Sequence, residues 1–170
     1  MSVITNKVRW CLKKAEKELL ESDKHRGLIK LQPDKNMAYA HIVKAEHYLK
    51  ATIYLKKGKF SDISASTTFY SMYQCLLAIA ISFGYESRNQ TCTFALIHSL
   101  IEDSMIDFEK VLLNKIAGLD VDKDAEDTSI EIRERYQYGT SLSLDDDVYT
   151  KNLDLAKEVL AKTKLIIETL

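Results

Sequence analysis

Residues 44–85 have the sequence KAEHYLKATIYLKKGKFSDISASTTFYSMYQCLLAIAISFGY. This stretch predicts two long helices joined by a short turn. The first helix is expected to cover about 35–57. Gly58 is a typical left-handed residue at the C-terminal end of a helix, and the two lysines before it are placed to complement the helix dipole.

The second helix of the pair carries small, aromatic and aliphatic residues on nearly all of its sides. We expect it to begin at a cap formed by Ser61 or Asp62, to continue to about 82 or 83, and to end at Gly84. A helix that is apolar all round is typical of the centre of a bundle or of a subunit interface. Its small residues allow neighbouring helices to approach closely while a few hydroxyl groups stay inside.

The rest of the chain also shows helical periodicity, and no segment alternates like a strand over a useful length. Apolar residues at three- and four-residue steps, together with start and stop signals, predict further helices at about 6–21, 91–102, 107–117, 128–138 and 143–168. Ser143, followed three residues later by Asp146, resembles a capping box at the start of the last helix. The acidic stretch 118–127 is expected to be a loop.

The sequence therefore predicts an all-α fold, an up-and-down helical bundle of four to five long helices with short helices beside them. Only five glycines and one proline occur in 170 residues, which agrees with a chain that has few turns. The length suits a single domain at 1–170, in which 1–33 form an N-terminal helical extension and linker.

The charge balance argues against one class of function. The chain has 24 basic and 25 acidic residues. No bulk positive field would therefore attract nucleic acid without specificity, and DNA is not expected as a partner. A local basic cleft remains compatible with this balance.

Three widely spaced cysteines, Cys11, Cys75 and Cys92, show no metal-site pattern. We expect all three to be reduced in an intracellular protein. The N-terminus is too polar for a signal peptide, and the longest apolar run, 76–83, is too short to cross a bilayer. These patterns predict a cytoplasmic protein without membrane contact, without a metal site and without a cofactor.

Residues 44–90 resemble the core of the HEPN domain (higher eukaryotes and prokaryotes nucleotide-binding). The shared pattern is an Ala-rich helix, a Gly-x-[FY]-x-[DE] turn, a small-residue helix with paired aromatics and a Met, and a Gly-containing turn. The residues that match it are Ala45, Tyr48, Ala51, Gly58, Phe60, Asp62, Ser66, Phe69, Tyr70, Met72, Tyr73 and Gly84. Arg133, Tyr138 and Gly139 are similar to the late-helix motif of the family, so the resemblance covers about 34–170.

The resemblance implies a helical bundle that commonly forms a homodimer. Some members of the family are metal-independent ribonucleases, often toxins of toxin–antitoxin pairs. Others are non-catalytic partners of small nucleotidyltransferases, or modules that bind nucleotides or RNA. The ribonucleases carry Arg-x4–6-His on the late helix. Two protomers juxtapose these residues, so that the histidine moves protons and the arginine stabilises the scissile phosphate.

This chain departs from the ribonuclease motif. Tyr138 stands five residues after Arg133, and no arginine in the sequence is followed by a histidine at the required spacing. The four histidines lie on other segments, at His25, His41, His47 and His98. A phenol stays protonated near neutral pH, so it is a poor general base in place of an imidazole. The sequence therefore favours binding over cleavage.

Arg133 is the first candidate ligand-binding residue. Two copies across a dimer would form a pair of guanidinium groups suited to bidentate phosphate binding. The alternative is a salt bridge to an acid on a neighbouring helix, since the positions three and four away on its own helix hold no acidic residue. Tyr138 could hydrogen-bond a ligand phosphate beside Arg133, or it could pack its ring against the last helix.

Arg88 and Tyr70 are the other candidate ligand-binding residues. Arg88 lies in a polar turn, close to where the family has the mouth of a cleft, and the alternative is a solvated loop. Tyr70 could stack a base together with Tyr73, although an aromatic pair inside an apolar helix is more often part of the core. For His98 we expect a partly buried, hydrogen-bonded side chain rather than an acid/base group.

The leading hypothesis is a non-catalytic HEPN-type binding protein that forms a homodimer. Its partner would be a small nucleotidyltransferase, or a nucleotide or RNA bound at a dimer cleft near Arg133. One alternative is a metal-independent ribonuclease with a degenerate Arg-x4-Tyr motif. Another is a structural homodimer without a ligand. The sequence assigns no catalytic residue, no metal ligand and no cofactor.

Overall fold

The computed structural model describes residues 3–117 and 127–170. The elements in chain order are α1 (Val3–Glu21), β1 (Leu28–Lys30), α2 (Lys35–Lys57), α3 (Ser61–Ser82), β2 (Tyr85–Ser87), α4 (Gln90–Glu102), α5 (Lys110–Ala117), α6 (Ser129–Tyr138) and α7 (Asp146–Thr169). The predicted all-α bundle is confirmed, with α1, α2, α3 and α7 as its long helices. None of the described helices has both the length and the apolar character that a bilayer span requires.

α3 lies at the centre of the bundle, as its all-round apolar surface predicts. α2, α6 and α7 pack against it, and its side chains Phe69, Met72, Leu76 and Ile79 have no exposed surface. Burying an apolar side chain of this size stabilises a fold by about 1.5–3 kcal/mol relative to leaving it exposed. α3 is therefore the element against which the other helices are positioned.

Hydroxyl-bearing residues let α2 and α3 pack closely. The Ser71 hydroxyl of α3 donates to the carbonyl oxygen of Ala45 on α2 over 2.8 Å. The hydroxyl oxygens of Thr52 on α2 and Thr67 on α3 are 2.7 Å apart. Because these hydroxyls have partners, the helix interface contains polar atoms without the cost of leaving one unpaired.

The turn after α2 differs from the prediction. Gly58 has φ −77°, so it is not the left-handed residue, and Lys59 takes that conformation with φ 65°. The backbone N–H of Gly58 donates to the carbonyl oxygen of Tyr54 over 2.9 Å and so continues the helical hydrogen-bond pattern by one residue. The chain therefore reverses direction at Lys59 rather than at Gly58.

The start of α3 is also held differently from the prediction. Phe60 occupies the N-cap position without a side-chain hydrogen bond, so neither Ser61 nor Asp62 is the cap. The Ser61 hydroxyl oxygen instead accepts from the backbone N–H of Leu144, 2.9 Å away. This hydrogen bond fastens the chain that precedes α7 to the first turn of α3, which a local sequence pattern does not reveal.

Gly84, the predicted end of α3, does adopt the left-handed conformation, with φ 75°. A Cβ atom there would lie 2.6 Å from the carbonyl oxygen of Leu31. We expect Gly84→Ala to lower the free energy of unfolding by about 2–4 kcal/mol, because it adds a backbone penalty to a clash. Gly58→Ala is the matched control, since its nearest neighbour is the Phe60 ring at 3.2 Å, and it should cost less than about 1 kcal/mol.

Urea-induced unfolding of the two glycine variants measures both losses. Equal losses at the two positions would show that the left-handed conformation of Gly84 does not limit which residue can stand there.

The short strands β1 and β2 pair antiparallel, with Leu28 opposite Ser87 and Lys30 opposite Tyr85. The sequence analysis found no strand-like alternation of useful length, so it did not predict this short pair. Strands of three residues are too short to show the alternation by which a strand is detected in a sequence. The pair connects the linker after α1 to the turn after α3.

Helix boundaries elsewhere agree with the prediction to within a few residues. α1 begins at Val3 rather than near residue 6, and α5 begins at Lys110 rather than near 107. The loop predicted at 118–127 lies outside the described residues except for Asp127. That residue directly precedes the N-cap of α6.

The caps of the last two helices were not predicted correctly. Thr128 and Glu131 form a capping box at the start of α6, which the sequence prediction missed. α7 is capped by Asp145, whose carboxylate accepts from the backbone N–H of Asp147 over 2.9 Å. The proposed box of Ser143 and Asp146 is therefore wrong, because a residue between them takes the cap position.

Cys11 and Cys92 form a disulfide, so the expectation of three reduced thiols is wrong. α1 packs against α4, which brings together two cysteines that are 81 positions apart in the sequence, with their Cα atoms at 5.8 Å. Cys75 is free and buried. Disulfides persist mainly in oxidising compartments. The argument that reduced cysteines indicate a cytoplasmic location therefore no longer holds, and that location stays a prediction.

Burial raises the pKa of the Cys75 thiol from its ordinary 9.0 to about 12, so the thiol stays protonated and unreactive near neutral pH. The oxidised native protein is expected to show no thiol that reacts with Ellman's reagent. Unfolding should reveal one reactive thiol without reductant and three after reduction. More than one thiol in the unfolded, non-reduced chain would contradict the disulfide.

The raised pKa of Cys75 also predicts how the free energy of unfolding changes at high pH. A folded-state pKa above the unfolded value means that the folded protein binds the proton more tightly. The stability linked to Cys75 is therefore fully present below about pH 9 and is lost as the pH rises toward about 12.

Candidate ligand-binding site

α6 carries the first candidate residue toward the centre of the bundle. The capping box of Thr128 and Glu131 fixes its first turn, and the helix packs against α3 and α5. Ile132 joins a small apolar cluster with Ala65 of α3. Arg133, the next residue, is only 8% exposed, so its charge lies within the fold rather than on an open surface.

Three contacts define the environment of Arg133. Its guanidinium carbon lies 4.6 Å from the centroid of the Phe69 ring, at cation–π distance. Its Nη2 donates to Glu134 Oε1 over 3.1 Å, so the acid it pairs with is the next residue of its own helix and not one on a neighbouring helix. Its Nε is buried and has no hydrogen-bond partner among the described residues. This donor has almost no accessible surface in the folded chain, so a phosphate or carboxylate oxygen could accept from it only if the guanidinium moves.

Phe69 also belongs to a row of rings, called the aromatic row, formed by Tyr48, Tyr70, Phe69, Tyr73 and Phe94. Tyr70 is half-buried, with its centroid 5.8 Å from that of Tyr48 and 5.6 Å from that of Phe69. Burial raises the pKa of Tyr73, so its phenol is neutral. Tyr70 is thus one ring away from the buried guanidinium, in a position intermediate between core and surface.

Tyr138 is not brought to Arg133. It is the last residue of α6 and is 78% exposed, so the alternative in which it packs its ring against the last helix is wrong. Five positions along an α-helix correspond to a rotation of about 140° and a rise of about 7.5 Å. The side chains of Arg133 and Tyr138 therefore project from different faces of α6, and they do not form one binding surface within a single chain.

Arg88 lies beyond the C-terminal end of α3, whereas Arg133 lies over Phe69 in the N-terminal half of that helix. Its Nε donates to Glu86 Oε1 over 2.6 Å, and the same oxygen is 3.3 Å from His25 Nε2. Phe69, under the guanidinium of Arg133, is about 20 Å along α3 from the end of that helix at Ser82. The half-exposed Arg88 and the buried Arg133 therefore do not share a site.

The four histidines lie on elements other than α6. Their contacts are with Glu86 for His25, Gln74 for His41, Tyr48 for His47 and Glu102 for His98. His98 is buried as expected, but neither of its ring nitrogens has a hydrogen-bond partner within the described part of the chain. Within 3–117 and 127–170, no group of three or more His, Cys, Asp or Glu is arranged to hold a metal ion.

A cavity of about 600 Å³ lies between the first turns of α6 and the N-terminal half of α7 and is called the α6–α7 cavity. Ser129 and Asn152 line it and are buried, and the Ser129 hydroxyl donates to Asn152 Oδ1 over 2.7 Å. The sequence prediction missed both residues. One signal was present, because Asn152 interrupts the apolar stripe of the last helix four residues after Val148.

The HEPN resemblance depends on short motifs spread over 34–170. Their residues lie on α2, α3 and α6, except for those in the connections directly next to these helices, which are Gly58, Phe60, Gly84 and Gly139. No protein-family model matches the chain, and no curated protein matches it.

Proposed function

We propose that the chain is a non-catalytic HEPN-type binding protein that takes the phosphate of a nucleotide or RNA at Arg133. The observation that supports this is a buried guanidinium, stacked on Phe69, with an unpaired Nε. Guanidinium binds phosphate through two parallel N–H bonds, and stacking on a ring restricts the orientation of the planar group. Because the Glu134 side chain is half-exposed, a phosphate can displace it from Arg133.

The contacts around Arg133 favour binding over catalysis. General acid–base catalysis needs a proton-transferring group within about 2.6–3.2 Å of the proton that it moves. α6 carries no histidine, and Tyr138 lies at its exposed end. The guanidinium of Arg133 binds and orients a phosphate but does not itself move a proton at pH 7, and the carboxylate of Glu134, 3.1 Å away, is already engaged by it.

A second copy of the chain is part of the proposal. Phe60, Ile63 and Leu142 are exposed apolar side chains near the hydrogen bond that joins Ser61 to Leu144. Neighbouring exposed apolar groups are typical of interaction surfaces. This surface supports a homodimer, with a nucleotidyltransferase as the other candidate occupant. Sedimentation equilibrium of the isolated protein distinguishes them, since a homodimer forms without any added partner.

Thermal unfolding with ATP, and separately with a short RNA, tests the binding site. A ligand that binds only the folded state should raise the Tm by about 5–10 °C when it is present at about 100 times its Kd. Arg133→Lys keeps the charge but loses the planar fork, and it should remove most of that rise. Arg88→Lys is the matched control at the other end of α3, and it should leave the rise unchanged.

The same proteins decide between the alternatives. RNA incubated with the wild type and a chelator is expected to stay intact. Cleavage that Arg133→Lys abolishes would replace the binding proposal with the ribonuclease alternative. A homodimer whose Tm responds to neither ATP nor RNA would instead favour a structural role without a ligand.

A further inference from the structure

The outer side of α1 carries the only tryptophan of the chain, Trp10, which is 50% exposed. α1 packs against α4 and β1, and its buried residues, Cys11 and Ala15, lie on another side of the helix. Four lysines stand three, four or seven positions from Trp10 and therefore share its side. Together with Trp10 they form the Trp10 face, which is about 15 Å long, and they are Lys7, Lys13, Lys14 and Lys17.

Positive charge surrounds the ring of Trp10. The Nζ atoms of Lys7 and Lys14 lie 4.2 Å and 5.3 Å from the centroid of the ring, both at cation–π distance. Trp10 nevertheless keeps half of its surface open to solvent. A cation–π contact at an exposed site is weaker than the stacking of a nucleobase on an aromatic ring, so a base can replace a lysine on the ring.

The acidic residues of α1 leave most of this positive charge uncompensated. Over 3–17 the helix has five basic residues and one acidic residue. Glu18 pairs with Lys14 over 4.0 Å, whereas the other three lysines of the Trp10 face form no salt bridge within the described part of the chain. Glu21 ends the helix, and the linker 22–27 adds one acidic and two basic residues. A chain of near-zero net charge thus concentrates positive charge on one helix face.

A half-open aromatic ring among lysines is the combination by which proteins bind single-stranded nucleic acid, since the cations contact phosphates while bases stack on the ring. A lipid surface fits this face less well. A helix that lies in a membrane interface needs a free apolar face, and the apolar side of α1, with Cys11 and Ala15, is buried. An acidic peptide would pair with the lysines but would leave the ring unused.

We propose that the Trp10 face binds single-stranded RNA, with a base stacked on Trp10 and the neighbouring phosphates on Lys7, Lys13 and Lys17. The face is separate from the phosphate site at Arg133, because α1 packs against α4 and β1 whereas α6 packs against α3 and α5. Only the choice of RNA over DNA rests on the proposed function. Since several lysines take part, the face favours a polynucleotide over a mononucleotide.

The fluorescence of Trp10 reports occupancy of the face directly, because the chain has no other tryptophan. A short oligouridylate is expected to quench this fluorescence. Uridine 5′-monophosphate at the same concentration of nucleotide should quench it far less, because one phosphate engages one lysine. The same oligouridylate paired with oligoadenylate should also quench less, since the bases of a duplex are already stacked. Poly-glutamate, which has the charge but no base, should bind more weakly than the RNA.

Two sets of variants separate the lysines from the ring, and fluorescence polarisation of labelled RNA measures binding to each. Lys13→Gln/Lys17→Gln should weaken binding and lower the slope of log K against log salt by about 1.4, because each phosphate contact on a single strand contributes about 0.7. Lys50→Gln/Lys57→Gln removes two exposed lysines from α2 and is the matched control, with affinity and slope unchanged. Trp10→Ala should weaken binding about tenfold, and Trp10→Phe, which keeps a ring, should lose less.

Three results would overturn the proposal. They are a Trp10 fluorescence that oligouridylate leaves unchanged, equal RNA binding by the two double-lysine variants, and tighter binding of poly-glutamate, single-stranded DNA or phosphatidylserine vesicles than of the RNA. Arg133→Lys is expected to leave the quenching of Trp10 unchanged. Failure at the Trp10 face is therefore distinguishable from failure of the phosphate site at Arg133.

Discussion

Phe69→Ala is expected to lower the free energy of unfolding by about 3–5 kcal/mol. The Phe69 ring has no exposed surface, and it packs against Tyr70 and Tyr73 and under the guanidinium of Arg133. Alanine leaves a cavity at the centre of α3 that the neighbouring side chains fill only in part. The substitution also removes the ring on which Arg133 lies, so stability and phosphate binding should fall together.

Phe60→Ala is the matched control for this prediction. The Phe60 ring is 55% exposed, so the same substitution should cost less than about 1 kcal/mol. Urea-induced unfolding of both variants gives the comparison. A loss at Phe69 no larger than the loss at Phe60 would show that α3 is not the packing centre of the bundle.

Reduction of the Cys11–Cys92 disulfide is expected to lower the free energy of unfolding by about 4.5 kcal/mol. The bond joins residues that are 81 positions apart, and the chain-entropy model gives about this value for a loop of that length. The closed loop contains the whole of α2 and α3. Cross-linking it restricts the unfolded chain far more than the folded bundle, in which α1 already packs against α4.

The midpoint of urea-induced unfolding, measured with and without reductant, tests this prediction. The double variant Cys11→Ala/Cys92→Ala should unfold at the lower midpoint under both conditions, and Cys75, which stays in place, controls for the effect of reductant on a free thiol. A wild-type midpoint that does not change on reduction would mean that the bond adds no stability.

Several parts of the fold that depend on local preference were predictable, although the caps of α6 and α7 were not. The sequence predicts α2 at about 35–57 and the end of α3 at about 82 or 83, and the structure has α2 at Lys35–Lys57 and the end of α3 at Ser82. Gly84 was identifiable as the end of α3 because glycine adopts the left-handed conformation at little cost. The same argument failed at Gly58, where Lys59 takes that conformation. The centre of the bundle was identifiable because α3 is apolar on every side.

The parts that depend on distant contacts were not predictable. The spacing of Cys11 and Cys92 says nothing about the packing of α1 on α4, which is what brings the two sulfur atoms together. Ser61 has the residue type of a cap, but it bonds instead to the backbone of Leu144. In each case a contact between elements far apart in the sequence overrode or added to the local signal.

The candidate site shows the same division. The sequence analysis proposed Arg133 as a candidate but did not predict its partner Glu134, since adjacent side chains do not face each other on an ideal helix. It grouped Arg133 with Tyr138 and Arg88, which the structure places at the exposed end of α6 and beyond the far end of α3. Packing decides which faces of the helices meet, and the pattern of a single sequence does not predict that packing.

The Cys11–Cys92 bond also changes what a cut in the backbone can do. The segment between α1 and β1 is exposed at Lys24 and Arg26, where trypsin could cleave. The two resulting fragments would still migrate as one species on a non-reducing gel and would separate only after reduction. In the oxidised protein, a cut after α1 therefore leaves this N-terminal helix covalently attached to the rest of the chain through the disulfide.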